Sequence, residues 1–476
     1  MNTSILYKGT RLWGSLVAMG LLFAMSACED KFPTNTESPD LTVIESIKIV
    51  NAGPAGNQVV EGTVDENAKL IKFPRLDPET DFSSLKFEAT MSPGAKLEQH
   101  DFSINFAEGE SQKSVVLKVV NNKRFREYFA QIRLNVPVFG AEFSKPTIYD
   151  YSANDLGHDT YEAYTGMSTR GYGFTYNYVV IPSRVSGIPA HLLSVPDLKK
   201  GEIKRIDSKI PTGWFSVNTA AAEYGHLYVF NALSSQQNIW HIDANKGVER
   251  GFKNIGPVPF KSLPNPSPRY GDGSGVVLNS KGNGYIYISG NPGTIMGRVT
   301  VTNFSELSNP VNLATPANLS NSGHVSGYID NDKVFVSSHE QPLIVCDMDL
   351  KEIFRIPTSV VPARAMDARI IHFNSERYLL TLTAARSGED ATVLYIYDIT
   401  KGETDFEALK EFVNRSGSKP VFEYSLSGPT TSAPSVRTGY AIEKDSDGKD
   451  AVLTVSGGTT DAGFVIIDFP IKKLED

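Results

Sequence analysis

Seven charged, amide or imidazole side chains recur at matching places in six short segments otherwise rich in Gly, Ser and Ala. The segments are Thr169-Arg170-Gly171-Tyr172, Phe215-Ser216-Val217-Asn218, Tyr270-Gly271-Asp272-Gly273, Asn321-Ser322-Gly323-His324, Met366-Asp367-Ala368-Arg369 and Val436-Arg437-Thr438-Gly439. The chemistry on offer is Arg170, Asn218, Asp272, His324, Asp367, Arg369 and Arg437. Asp272 with Asp367 would supply the carboxylate pair of a glycoside hydrolase, and His324 with Arg437 the base and cation of a polysaccharide lyase. Arg170, Arg369 and Arg437 set three guanidinium groups about one axis. That suits bidentate capture of a carboxylated or sulfated saccharide. Trp214, just before the second segment, offers a flat apolar face for a sugar ring. The plainer alternative is that these side chains face the water of a channel.

Other chemical motifs are weak. The eight His residues form no metal spacing of the H-E-x-x-H kind. Gly271-Asp272-Gly273-Ser274-Gly275 lacks both the nucleophile-elbow order and a following helix. Asp445-Ser446-Asp447-Gly448-Lys449-Asp450 resembles half a calcium loop without its distal Glu, and sits where a hairpin turn is expected. Cys346 lies in an apolar run and reads as an inert core thiol. Trp240 falls mid-strand and reads as core. Nothing here calls for a metal or a cofactor, and the balance leans away from an enzyme.

The segments are positioned by a repeated unit. Glu223-Tyr224-Gly225-His226, Ser280-Lys281-Gly282-Asn283-Gly284, Asp330-Asn331-Asp332, Asn374-Ser375-Glu376-Arg377 and the loop at 445–450 are polar hairpin turns. Each leads into a β-branched and aromatic run. A weaker first copy ends in Tyr178-Val179-Val180-Ile181. The runs begin near 178, 227, 285, 333, 378 and 451, giving gaps of 49, 58, 48, 45 and 73 residues. A blade of a β-propeller takes roughly 40–50 residues. The long last gap holds Phe406–Val413, which has a helical pattern. Four units continue into an apolar run closed by Asp, at Asp243, Asp347, Asp398 and Asp468, and the first has Leu192-Leu193-Ser194-Val195-Pro196-Asp197. The expectation is a six-bladed β-propeller over 169–476, with five or seven as the neighbouring counts. Residues 138–168 form a connector whose Pro146–Ser152 stretch can close the ring as a strand.

Upstream, residues 43–137 carry short alternating strands and turn residues, the pattern of an immunoglobulin-like β-sandwich without its Cys pair. The fold class is thus all-β. Residues 28–42 are polar and Pro-containing, a flexible tether. Residues 1–27 have a basic start (Lys8, Arg11) and an apolar stretch from Leu12 to Met25, shorter than a membrane span. With 46 basic against 54 acidic residues and no basic stripe, nucleic acid is an unsuitable partner.

Met25-Ser26-Ala27-Cys28 resembles a bacterial lipobox, with Met25 where Leu or Val is usual. The resemblance implies a signal peptide over 1–27 and a lipidated Cys28 that anchors the protein to a membrane. Glu29 and Asp30 resemble the surface-export signal of Bacteroidota lipoproteins. The whole order of lipobox, tether, Ig-like module and propeller resembles Bacteroidota surface lipoproteins with a C-terminal propeller of unknown function. It implies an outer-membrane address facing the exterior, a spacer role for the Ig-like module, a glycan ligand and an outer-membrane transport partner. Alternatives are the lyase or hydrolase above and a protein-interaction scaffold, which would show an exposed apolar patch.

Overall fold

The computed structural model describes residues 40–107, 110–152, 166–213, 216–233, 236–320, 323–426, 431–432, 435–461 and 463–473. Cys28 and Trp214 lie outside them. No helix among the described residues is long and apolar enough to cross a membrane. The chain divides after Pro137 into two compact units.

The first unit is one eight-stranded sheet that includes Ile44–Ala52, Leu85–Met91, Gln112–Asn121 and Arg124–Arg133. Leu70–Lys72 joins Arg124–Arg133 in parallel, and the other pairs are antiparallel. The sheet curls around Ile47, Ile49, Phe73, Phe87, Leu117, Val119 and Tyr128. The expected separation into two facing sheets is not seen in the strand pairing. Period-two alternation asks only for one buried face, and a curled sheet supplies that as well as a sandwich does.

The second unit is a ring of six four-stranded antiparallel sheets, a six-bladed β-propeller. The innermost strands of blades 1 to 6 are Gly173–Phe174, Thr219–Glu223, Arg269–Leu278, His324–Ile329, Ala365–Phe373 and Val436–Lys444. Thr147–Asp150 pairs with Gly463–Pro470 as the outermost strand of blade 6, so both ends of this unit share one sheet. Six apolar clusters fill the six gaps between blades. Val180 and Leu192 of blade 1 pack with Leu227 and Val229 of blade 2, and so on round to Phe464 and Ile466 of blade 6 against Val179 and Leu193. Each sheet is therefore covered on both faces. That is why Leu227-Tyr228-Val229-Phe230 is apolar without alternation and fully buried. Trp240 is partly buried at the edge of the same cluster.

Asp243, Asp347 and Asp398 end their strands as expected, each accepting the N–H two residues ahead. Asp468 departs. It lies inside its strand, accepts from Thr454 at 2.6 Å and pairs with Lys199 of blade 1 at 2.6 Å. The insertion is the helix Asp405–Asn414, capped by Thr404 and buried through Ala408, Leu409 and Phe412. Asp445 accepts the N–H groups of Asp447 and Lys449, closing a hairpin turn. Burial pushes the Cys346 thiol up to about 12, so it stays protonated.

Candidate functional site

The axis is filled where a channel was expected. Glycines of the innermost strands face backbone, not water: a Cβ on Gly273 would stand 2.1 Å from the Gly323 carbonyl oxygen, and one on Gly275 1.9 Å from that of Val325. Small residues recur there because neighbouring strands touch.

Arg437 of blade 6 runs into this space and is 2% exposed. Its Nε donates to the Ala220 carbonyl of blade 2 at 2.8 Å. Its Nη2 donates to the carbonyl and hydroxyl oxygens of Ser274 on blade 3, both at 2.8 Å. Its Nη1 meets His324 Nδ1 of blade 4 and stands 3.6 Å from Asp367 Oδ1 of blade 5. One side chain thus ties five blades. Asp367 Oδ2 also accepts from the backbone N–H of Thr438 at 2.6 Å and from its hydroxyl at 3.0 Å. Asn218, fully buried, donates to the Gly271 carbonyl at 2.5 Å. Burial, then the Arg437 charge, holds His324 well below its usual range, so it is neutral. Arg437, His324, Asp367 and Asn218 were expected at an open mouth. They are interior crosslinks instead, since burying a polar group is costly unless it is hydrogen-bonded, although His324 Nε2 and Asn218 Oδ1 find no hydrogen-bond partner among the described residues.

Arg170 and Asp272 lie where the innermost strands begin. Both are buried and face each other at 3.5 Å. Asp272 also pairs with Arg269 and accepts from Asn291 at 2.7 Å. Asp272 and Asp367 are held by different partners, Arg170, Arg269 and Asn291 for the first and Arg437, Arg369 and Thr438 for the second. A cavity of about 470 Å³ on this side is lined by Ser183, Arg184, Pro189, Pro211 and Ser216 among others.

At the opposite end, where the innermost strands of blades 1 and 2 finish, lies a second cavity of about 370 Å³. Tyr176 comes from the first hairpin turn, Glu223 and Tyr224 from the second, Arg369 from blade 5 and Tyr440 from blade 6. The three tyrosines are 48%, 54% and 37% exposed. Tyr224 and Gly225 both have positive φ, 49° and 81°, the signature of a two-residue type I′ turn. Blades 4 and 5 make the same turn with Asp330-Asn331 and Asn374-Ser375, whose first residues tolerate that backbone. A tyrosine there is strained, and strain of this kind collects at functional sites.

The cavity floor is an ion pair. Arg369 Nη1 stands 2.5 Å from Glu223 Oε1, and its Nε 3.9 Å from Asp367 Oδ2. Burial raises the Glu223 carboxyl, opposed by Arg369. Burial alone would lower Arg369, but Glu223 and Asp367 together raise it. Burial lifts Tyr440 to about 12, so its hydroxyl is neutral. Of the residues singled out in the sequence, only Arg369 reaches this cavity. Tyr176, Glu223, Tyr224 and Tyr440 were missed. The one available signal was a Tyr in the turn position that other blades give to Asp or Asn.

Fold and cavity together define a six-bladed β-propeller with an aromatic-rimmed cavity at one end and an N-terminal β-sheet unit. The chain belongs to the DUF4623 family, described as a domain of unknown function, which it matches over residues 30–472. It is similar to a DUF4623 family protein from Bacteroides eggerthii DSM 20697, at 33% identity and a TM-score of 0.79, covering 91% of this chain and 99% of that one. Two structures from Bacteroides thetaiotaomicron VPI-5482 align over 90% of this chain at 10% identity. One is a protein of unknown function, TM-score 0.36 and 90% covered; the other is an auxiliary nutrient binding protein, TM-score 0.37 and 92% covered. No curated protein matches the chain.

Proposed function

We propose that this protein is a lipid-anchored outer-surface protein that binds a saccharide in the tyrosine-rimmed cavity of its propeller. The observation that carries the reading is the set of three exposed tyrosines, Tyr176, Tyr224 and Tyr440, around the Glu223–Arg369 pair. Exposed aromatic faces offer flat apolar area beside polar groups that fix orientation, the combination a sugar ring requires. Binding is favoured over hydrolysis because Glu223 is the only carboxylate among the described residues lining this cavity, and hydrolysis uses two roughly 5–9 Å apart.

The address rests on Met25-Ser26-Ala27-Cys28 and the Glu29-Asp30 that follows. In this reading Cys28 carries the lipid, residues 29–42 tether, and the N-terminal sheet unit serves as an Ig-like spacer. A transporter in the outer membrane is the partner that would take the captured glycan. The anchor is tested by labelled lipid, which should attach to the protein and not to Cys28→Ser; normal membrane retention of that variant would end the lipoprotein reading. The site is tested by calorimetric titration with oligosaccharides. Tyr224→Ala should lose about 1–2 kcal/mol, the worth of the apolar area one ring face covers, and unchanged affinity would move the site elsewhere.

A further inference from the structure

The cavity floor also bears on which saccharides fit, an inference that rests on the binding reading above. Its single guanidinium is already matched: Arg369 meets Glu223 at 2.5 Å and stands 3.9 Å from Asp367. Asp367 stands 3.6 Å from Arg437 as well, so Glu223 is the carboxylate that matches Arg369 and no guanidinium here carries unmatched positive charge. An anionic sugar would have to displace Glu223 from Arg369 and then lie beside that carboxylate, a like-charge arrangement that costs heavily in a partly dry site.

Hydrogen-bonding capacity is nevertheless left over. Among the described residues Glu223 accepts one side-chain hydrogen bond, at Oε1, so Oε2 is unused. Arg369 donates through Nη1 alone. A free carboxylate oxygen beside free guanidinium N–H groups is an acceptor next to donors. A sugar hydroxyl is both donor and acceptor and satisfies the two at once. The tyrosine hydroxyls are neutral and add no positive charge.

We infer that the ligand class is a neutral, hydroxyl-rich saccharide, and that Glu223 is the residue that excludes acidic ones. This replaces the carboxylated or sulfated ligand that three arginines about one axis suggested. Arg437 is fully engaged inside the axis, Arg170 faces Asp272 at the other end, and Arg369 is neutralised where it stands.

The test uses the full-length protein in a non-glycoside detergent, titrated with matched neutral and uronate-containing oligosaccharides at low and high salt. Wild type should prefer the neutral member by about tenfold or more, since a charge-assisted hydrogen bond distinguishes them, with affinity insensitive to salt. Glu223→Gln keeps the shape and removes one negative charge. It should weaken neutral binding and narrow the preference by about tenfold. Preference of wild type for the acidic member, or an unchanged ratio in a folded Glu223→Gln, would overturn the inference while leaving saccharide binding intact. The wild-type salt dependence decides alone if the variant does not fold: affinity for either sugar that falls steeply with salt would count against it. No binding of either class would overturn the binding reading and the inference with it.

Discussion

Two places in the propeller bring arginine and carboxylate together, and they differ in what is left over. Inside the axis, Arg437 uses Nε, Nη1 and Nη2 on groups from four other blades and is 2% exposed. At the tyrosine end, Arg369 and Glu223 engage each other through one atom each and border a cavity of about 370 Å³. Every nitrogen of the Arg437 guanidinium has a partner inside the protein, whereas Arg369 Nε has no hydrogen-bond partner among the described residues. Charge near a propeller axis therefore does not mark a site by itself, and the proposed site rests on polar groups beside exposed aromatic area.

The comparison breaks most sharply at Arg437. Arg437→Met should cost about 3–5 kcal/mol of stability, because Asp367 and the Ser274 and Ala220 carbonyls lose a partner where water cannot replace it. Chemical denaturation measures this. A loss below about 1 kcal/mol would mean that the axial arginine is dispensable as a crosslink.

Acid should act on the blades away from the axis, where His191 and His241 lie on the third strands of blades 1 and 2. Burial holds His191 at about 4, and burial with the neighbouring His226 holds His241 at about 4. These groups resist protonation when folded, whereas the unfolded chain takes up protons near 6.5. Stability is then fully present above about pH 6.5 and falls as pH drops towards 4, by about 1.4 kcal/mol per unit of depression for each group. Denaturation midpoints followed from pH 7 to 4 check the sign, and stability that rose on acidification would refute it.

The smallest stability effect is expected at Tyr224, in the opposite direction. Tyr224→Asn places a residue suited to positive φ in the type I′ turn, and should raise stability by about 0.4–1 kcal/mol. It should also abolish most saccharide binding. A tyrosine kept at a local cost, for its exposed face, is the pattern expected of a functional position. If Tyr224→Asn is destabilising, the tyrosine packs for structure and the contrast with Arg437 weakens.

The sequence carried the blades well, because polar hairpin turns and apolar runs are local signals that recur at a near-constant spacing. It carried the N-terminal unit less well, since alternation does not say whether a buried face is covered by a second sheet or by the same sheet curling. For the site, it marked the innermost strands at their beginnings, whereas the proposal above takes the end where they finish. Arg437 and Arg369 stand two residues apart in the reading of their segments, yet one points into five blades and the other borders a cavity. Only the ring closure tells them apart. Glu223 meets Arg369 across 146 residues of chain, and no spacing rule anticipates such a pair. Tyr224 was visible in its turn, and its mismatch with Asp330 and Asn374 at the equivalent place was the clue.

The most direct test of the account sets the two ends of the propeller against each other. Neutral oligosaccharides would be titrated calorimetrically into wild type, Tyr224→Asn and Arg170→Gln, the last altering the end opposite the tyrosines. The account predicts that Tyr224→Asn loses at least about fivefold in affinity, about 1 kcal/mol, while Arg170→Gln binds as wild type does. Loss of binding in Arg170→Gln with full binding in Tyr224→Asn would contradict it.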